Sequence, residues 1–254
     1  MVTPDEFADF HLSIEHAHSV RRLIRPQAVF RFDSTSPFKP LAANQAFALL
    51  EWGINWSVAM HCHQYLIIHG AVVEQSGRAL MLPAPPGSGK STLCAALVAR
   101  GWRLLSDELT VIDIASGCIV PLPRPISLKN ESIEAIEAFW PEAAMSPPVH
   151  ETLKGTVTYV RPPVESVRAA IRHVKPRWIA IPHYARDRPT ELVKLSKAAA
   201  FMQLVDNAFN YSVHGRRGFD LLTDVADSSD SFEFTYGGAL DEAVYLFDDL
   251  ARKP

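Results

Sequence analysis

The strongest structural signal in this chain is the segment from Ala79 to Arg100, which reads ALMLPAPPGSGKSTLCAALVAR. An apolar run typical of a strand ends in a loop of proline and glycine, and an Ala/Leu-rich run typical of a helix follows directly. Glycines let consecutive backbone N–H groups curl around an anion, and a helix start adds the positive end of its dipole. The segment therefore predicts an α/β fold with an anion site at the loop.

The loop matches the end of the P-loop pattern G-x-x-x-x-G-K-[ST]. In that pattern the lysine contacts the β- and γ-phosphates and the final hydroxyl contacts Mg²⁺. Ala84 stands at the first glycine position, and Pro85 and Pro86 have no N–H group to donate. The sequence therefore predicts binding of ATP and Mg²⁺ by the residues that follow these prolines. They are Gly87, Ser88, Gly89, Lys90, Ser91 and Thr92, with Ser91 on the metal.

An acidic pair, Asp107 and Glu108, comes directly after the next predicted strand. At a strand end these carboxylates are well placed to face the loop. One can hold Mg²⁺ while the other accepts a proton from an attacking hydroxyl; a solvated turn is the alternative. His69 ends an earlier predicted strand and is either part of the same site or a core histidine bonded to a backbone carbonyl.

Apolar periodicity and turn residues predict the remaining elements. Strands are predicted at 28–32, 66–73, 79–82, 102–105, 109–114, 118–121, 156–160, 178–182 and 231–236. Helices are predicted at 42–65, 91–100, 132–140, 196–210 and 239–250, and residues 216–218 as a basic surface turn. The order predicts an α/β sandwich in which residues 1–65, a small N-terminal β/helix segment, pack on a core domain of residues 66–254.

Composition excludes several classes of protein. Apolar residues make up 48% of the 254 and charged residues 21%, which excludes a disordered chain. With 25 Lys+Arg against 28 Asp+Glu, the net charge of −3 gives no basic excess for a nucleic-acid backbone. No apolar run is long enough for a membrane span, and the N-terminus lacks the features of a signal peptide. Three scattered cysteines add to the expectation of a cytoplasmic protein without nucleic-acid or membrane partners.

Three strings in close order resemble the catalytic domain of the bacterial HPr kinase/phosphorylases. They are His69–Val73, Pro86–Ser91 and Arg100–Glu108, within about residues 66–114. In that family a His-Gly strand, a P-loop, an R-G-x-R-L stretch and an acidic pair have similar spacing. The resemblance implies a P-loop core related to the nucleotide-binding part of PEP carboxykinases.

A closer resemblance extends over most of the chain, to the HPr-kinase-related group called HprK-related kinase A. The shared strings are EWG with NW at 51–56, SDELT at 106–110, RPISLKN at 124–130, KG at 154–155 and NAFNY at 207–211. On these strings the chain is identified as a member of that group. Membership implies an ATP-dependent kinase that transfers the γ-phosphate to a hydroxyl, with a serine of a peptide or protein as the acceptor.

The resemblance also implies roles for individual residues. Asp107 aligns with the base toward the substrate serine, His69 with the histidine near that base, and Glu108 with a second acid that reaches the metal. Which of the two acids is the base stays open. Three cationic residues are further candidates for contacts with the triphosphate or the substrate: Arg124, Lys129 and Lys154.

Two departures from the HPr kinase/phosphorylases limit what is carried over. Their additional N-terminal domain is missing here, and PLPRPISLKN at 121–130 replaces their glycine-rich phosphorylase segment. We therefore expect a kinase without marked phosphorylase activity, acting on a substrate other than HPr. The alternatives are a nucleotide-binding switch without an acceptor and a small-molecule kinase. Those enzymes are hexamers, and whether this chain forms a homo-oligomer stays open.

Overall fold

The computed structural model describes residues 8–16 and 24–253, so parts of the predicted N-terminal segment and Pro254 lie outside the described residues. The strands are β1 (Leu12–His16), β2 (Gln27–Phe32), β3 (Leu41–Ala42), β4 (Tyr65–Gln75), β5 (Arg78–Pro83), β6 (Arg103–Ser106), β7 (Leu109–Asp113), β8 (Ile119–Val120), β9 (Ile126–Lys129), β10 (Val149–Thr152), β11 (Gly155–Val160), β12 (Lys175–Tyr184), β13 (Glu191–Lys194) and β14 (Asp230–Tyr236). The helices are α1 (Ala46–His61), α2 (Lys90–Ala99), α3 (Glu131–Phe139), α4 (Val164–Arg168), α5 (Lys197–Asp206), α6 (Tyr211–His214), α7 (Arg216–Ser228) and α8 (Leu240–Arg252). A short 3₁₀ turn (Ala43–Gln45) precedes α1.

The main sheet has eight strands in the order β13-β14-β12-β5-β4-β7-β8, with β6 also paired to β4. Strands β5, β12 and β14 run parallel, whereas β4 is antiparallel to β5, β6 and β7. The predicted α/β class is confirmed as a mixed α/β fold with a mixed sheet. Because the carboxyl ends of β5, β12 and β14 meet at one edge, the loops that follow them lie together there.

Helices cover both faces of this sheet. Leu80 and Leu82 of β5 pack toward a core that contains α2 and α8, and Ala79 and Met81 pack toward a second core that contains α5 and α7. Alternate side chains of a strand point to opposite faces, so a strand buried on both sides reads as a continuous apolar run. The result is a three-layer arrangement with the loop after β5 at the sheet edge.

The N-terminal part forms a small sheet, β1-β2-β3, against α1. Phe30 of β2 packs so closely on Gly53 that a Cβ there would overlap the phenyl ring. The opposite side of α1 contributes Ala48 to a cluster with Val157 and Tyr159 of β11. Helix α1 thus joins the N-terminal sheet to the rest of the chain, while the predicted boundary after residue 65 stays a prediction.

Three predicted details are wrong. The helix predicted at 42–65 is shorter, because Ala43–Gln45 form a 3₁₀ turn, α1 ends at His61 and β4 begins at Tyr65. Residues 216–228 form helix α7 and not a basic turn, because Leu221, Leu222, Val225 and Ala226 make a buried stripe at helical spacing behind the Arg-Arg-Gly start. The predicted helix 196–210 ends at Asp206, and a loop leads to α6.

No helix in the described part of the chain is both long and apolar enough to cross a membrane.

Candidate functional site

The loop of residues 84–89, called the glycine loop below, joins β5 to α2. Gly87 and Gly89 adopt φ values of +87° and +88°, which L-residues rarely take. Neighbouring strand ends hold the loop, because the Tyr236 hydroxyl donates to the Gly89 carbonyl at 2.7 Å and the Tyr184 N–H donates to the Ser88 carbonyl at 3.0 Å. With its carbonyls bound on that side, the loop is held in a fixed conformation at the start of α2.

We expect Gly89→Ala to destabilise the fold by about 2–4 kcal/mol, from strain at positive φ plus overpacking. A Cβ at this position would overlap the Tyr236 hydroxyl and lie 2.9 Å from Tyr184 Cβ. Urea unfolding measures the loss. Gly77→Ala is the matched control, because Gly77 has φ +77° and a Cβ there meets nothing within 4 Å among the described residues. Equal losses in both variants would show that contact with Tyr236 is unimportant.

A cavity of about 400 Å³ opens beside the glycine loop. Its lining brings together six of the predicted binding residues, namely Gly87, Gly89, Lys90, Ser91, Thr92 and Lys129. Ser88 does not line it, and its buried hydroxyl has no hydrogen-bond partner in the described part of the chain. The opposite wall comes from Asn130 and α3, and the floor from Tyr184 and Tyr236.

Lys90 is the first residue of α2 and only 5% exposed. Burial lowers the pKa of its ammonium group, while Glu108 and Asp107 act in the opposite direction. A buried ammonium facing two carboxylates at a helix start places positive charge where an anion would be bound.

Asp107 follows β6 directly and is 3% exposed. Its Oδ2 accepts a hydrogen bond from the backbone N–H of Ser127 on β9 at 2.9 Å. Burial raises the pKa of Asp107 to about 6, with the charge of Glu108 adding to the effect, while Lys90 and the nearby Ser91 hydroxyl oppose it. Its Oδ1 is buried without a hydrogen-bond partner among the described residues. That oxygen is therefore free to bind a cation or a proton donor.

Glu108 points to a different set of partners. Its Oε2 lies 3.3 Å from His69 Nε2, and its Oε1 lies 3.7 Å from Lys129 Nζ. Burial acts to raise its pKa, but the His69 hydrogen bond and the charges of Lys129, Lys90 and Lys154 outweigh burial and hold the pKa below its usual range. Two adjacent acids thus have pKa values displaced in opposite directions, an arrangement typical of acid/base sites.

The resemblance implies that His69 is the histidine near the base, and in the structure the imidazole contacts Glu108, the neighbour of Asp107. Its position is set by the loop after α5. The backbone N–H of His69 donates to the backbone carbonyl of Asn207 at 2.7 Å, and the ring centroids of Phe209 and His69 lie 5.8 Å apart. Glu108 and His69 are each 18% exposed, so an incoming molecule can reach this acid more easily than Asp107.

The structure does not bring Arg124 to the cavity. Its guanidinium forms an ion pair with Glu51 of α1 and donates to Asn55 Oδ1 at 2.8 Å and to the Glu51 carbonyl at 3.0 Å. These contacts satisfy the fork of donors and neutralise a buried acid. The prediction that Arg124 clamps a triphosphate is therefore not supported by its geometry, and we correct its role to fixing 121–125 against α1.

Several residues at the site were not identified from the sequence. Ser127 contributes a backbone N–H, for which no side-chain pattern exists, and β9 was read as part of a proline-rich loop. The apolar alternation of Ile126–Lys129 after the last proline is the signal that identifies this strand. Tyr184 and Tyr236 are the last residues of β12 and β14, which run parallel to β5, and the predicted strand at 178–182 stops short of Tyr184. Their role at the loop follows from strand order, which sequence alone did not provide.

The residues present fit a magnesium–nucleotide complex. Glycines with positive φ at a helix start form a cradle for phosphates, and the cavity beside them has room for a nucleotide. In the described residues no group of three or more His, Cys, Asp or Glu has metal-binding geometry. Mg²⁺ at phosphate sites uses one or two carboxylates plus phosphate oxygens. The free Oδ1 of Asp107 next to Ser91 matches that requirement.

Comparison with models of known protein families found no match for this chain, and comparison with curated proteins found no similar one.

Proposed function

We propose that this protein is a P-loop kinase that uses ATP and Mg²⁺ to phosphorylate a hydroxyl, with a serine of a peptide or protein as the acceptor. The observation that carries the proposal is the pairing of a buried Lys90 at the start of α2 with two adjacent acids whose pKa values shift in opposite directions and whose contacts differ. A site that only bound nucleotide would have no need for a second acid aligned by a histidine. The sequence resemblance to HprK-related kinase A supports the same conclusion.

Phosphoryl transfer depends on positioning and charge neutralisation more than on covalent chemistry. In the proposed complex, backbone N–H groups from Gly87 onward and the Lys90 ammonium bind the phosphates, with Lys129 at the rim of the cavity. Mg²⁺ supplies charge neutralisation when it is bound, and Ser91 with Asp107 would hold it. The peptide acceptor and the absence of marked phosphorylase activity rest on the resemblance.

The contacts of Asp107 and Glu108 favour roles for these two acids that differ from those the resemblance implies. Asp107 faces Lys90, Ser91 and the interior, which suits a metal ligand. Glu108 is partly exposed and aligned by His69, which suits the group that orients the acceptor hydroxyl and takes its proton late in transfer. The His69 hydrogen bond and three lysine charges hold the pKa of Glu108 down, and the negative charge of a bound phosphate would offset the lysine part of that effect.

The proposal is tested with labelled ATP and two peptide libraries that differ only at a central residue, serine in one and alanine in the other. We expect label to enter the serine library only, with Lys90→Ala as the inactive control. A switch protein would consume ATP at the same rate with either library and label neither. Equal, acceptor-independent turnover would therefore reject the kinase in favour of a switch, and transfer to a small alcohol alone would favour a small-molecule kinase.

A further inference from the structure

The β10–β11 hairpin brings a third lysine, Lys154, to the site described above. Its tip is fastened to the cavity wall, because Asn130 Oδ1 accepts from the Thr156 N–H at 3.1 Å and the Asn130 N–H donates to the Thr156 carbonyl at 3.0 Å. Gly155 has φ +83° and packs directly on the Asn130 side chain, where a Cβ would overlap it. Since Asn130 lines the cavity, the position of the tip is tied to the cavity itself.

The Lys154 ammonium lies over a neutral ring. Its Nζ is 5.0 Å from the ring centroid of Trp52 on α1, and no ion pair joins it to a carboxylate in the described part of the chain. A cation–π contact at an exposed position is weak compared with an ion pair to a phosphate. The lysine is thus held weakly, and a nearby anion would compete well for it.

The two carboxylates of the site already face cations other than Lys154. Glu108 already contacts Lys129 and His69, and Asp107 faces Lys90. Burial, Lys129 and Lys90 together lower the pKa of Lys154, with Glu108 opposing them. Repulsion from two other lysines is relieved when a negatively charged ligand binds at this position.

The position of Lys154 relative to the cavity indicates which anion it would bind. Lys90 and Lys129 line the nucleotide-sized cavity, whereas Lys154 does not. Lys154 stands at the hairpin tip that is fastened to Asn130, and Lys129, the residue before Asn130, has its ammonium 3.7 Å from Glu108 Oε1. An anion within reach of Lys154 therefore lies at the Glu108 edge, where the phosphate to be transferred would be placed. We propose that Lys154 is a third phosphate-binding residue. When a nucleoside triphosphate is bound, the Lys154 ammonium moves off the Trp52 ring and contacts the terminal phosphate. The inference rests on the proposed function and adds that the site distinguishes triphosphate from diphosphate.

Calorimetric titration of the full chain with MgATP and MgADP tests this inference. We expect Lys154→Ala to weaken MgATP binding about tenfold and MgADP binding little, because one charge-assisted contact to the terminal phosphate is lost. Lys154→Arg should retain most of the preference. Lys194→Ala, which removes an exposed lysine of β13, is the matched control and should leave both affinities unchanged.

Trp52 provides a second measurement that does not depend on catalysis. MgATP should change the tryptophan emission of the wild type more than MgADP does, and the difference should disappear in Trp52→Phe and in Lys154→Ala. An unchanged ATP-to-ADP affinity ratio in Lys154→Ala would overturn this inference and leave the kinase proposal standing. Failure of the wild type to bind nucleotide would overturn both. A Lys154 effect on binding without phosphorylation of any acceptor would support this inference and reject the kinase.

Discussion

Lys90→Ala is expected to weaken MgATP binding about 30-fold or more. Truncation of one partner of a buried charge contact costs about 2–5 kcal/mol, and 1.4 kcal/mol corresponds to a tenfold change in affinity. Lys90 is buried at the start of α2, where it can reach phosphates held by the glycine loop. Isothermal titration with MgATP measures the effect.

Lys129→Ala is the comparison variant, because it removes a second lysine that lines the same cavity. Lys129 also lines the cavity, but its ammonium lies 3.7 Å from Glu108 Oε1 and its side chain is 28% exposed. Loss of this more solvated cation should weaken binding about tenfold or less. Circular dichroism and urea unfolding serve as the controls that test whether both variants are folded. Unchanged affinity in Lys90→Ala would mean that the glycine loop is not a phosphate cradle.

The glycine loop was predictable because its physical requirements are written in local sequence. Positive φ at Gly87 and Gly89, a helix beginning at Lys90 and an apolar strand before them all depend on consecutive residues between Arg78 and the first turn of α2. The acidic pair after β6 was predictable for the same reason. A strand end places adjacent polar residues at the sheet edge whatever the rest of the chain does.

What could not be predicted depends on contacts between distant residues. Arg124 binds Glu51 across 73 positions, and the Ser127 N–H reaches Asp107 across 20. Which acid His69 contacts depends on the pairing of β4 with β6 and β7 and on a bulge between Val72 and Val73. A shift of one residue in that register turns a side chain to the opposite face of the sheet, and local pattern does not fix it.

The acids themselves give the second large expected effect. We expect Glu108→Gln to keep MgATP affinity within about tenfold while phosphoryl transfer falls about 10²–10⁴-fold, the usual contribution of a positioned base. Asp107→Asn should instead lose the part of the affinity that depends on Mg²⁺, because its free Oδ1 faces Ser91 and Lys90. Titrations with ATP in Mg²⁺ and in EDTA, and transfer of labelled phosphate, separate the two variants.

The stability of Asp107→Asn against urea provides a control for this substitution. Burial raises the pKa of Asp107 to about 6 from the ordinary 3.8 of an aspartate, so the fold favours the protonated carboxyl. The carboxyl ionises near pH 3.8 in the unfolded chain but only near pH 6 in the fold, so stability is lost as pH rises from about 4 to about 6 and stays lost above that. Asp107→Asn keeps an acceptor for the Ser127 N–H and should therefore unfold at higher urea than the wild type at pH 8 in EDTA. At pH 5 the wild-type carboxyl is largely protonated, so the gain should be smaller.

His69→Ala completes the assignment, because only one of the two acids touches the imidazole. If Glu108 orients the acceptor hydroxyl, His69→Ala should reduce transfer less than Glu108→Gln does, and adding it to Glu108→Gln should cause little further loss. If instead Asp107→Asn binds MgATP normally and loses transfer, while Glu108→Gln loses Mg²⁺-dependent binding, the roles are reversed. Asp107 would then be the base that the sequence resemblance implies, and its raised pKa would be the property that fits it for proton transfer near neutral pH.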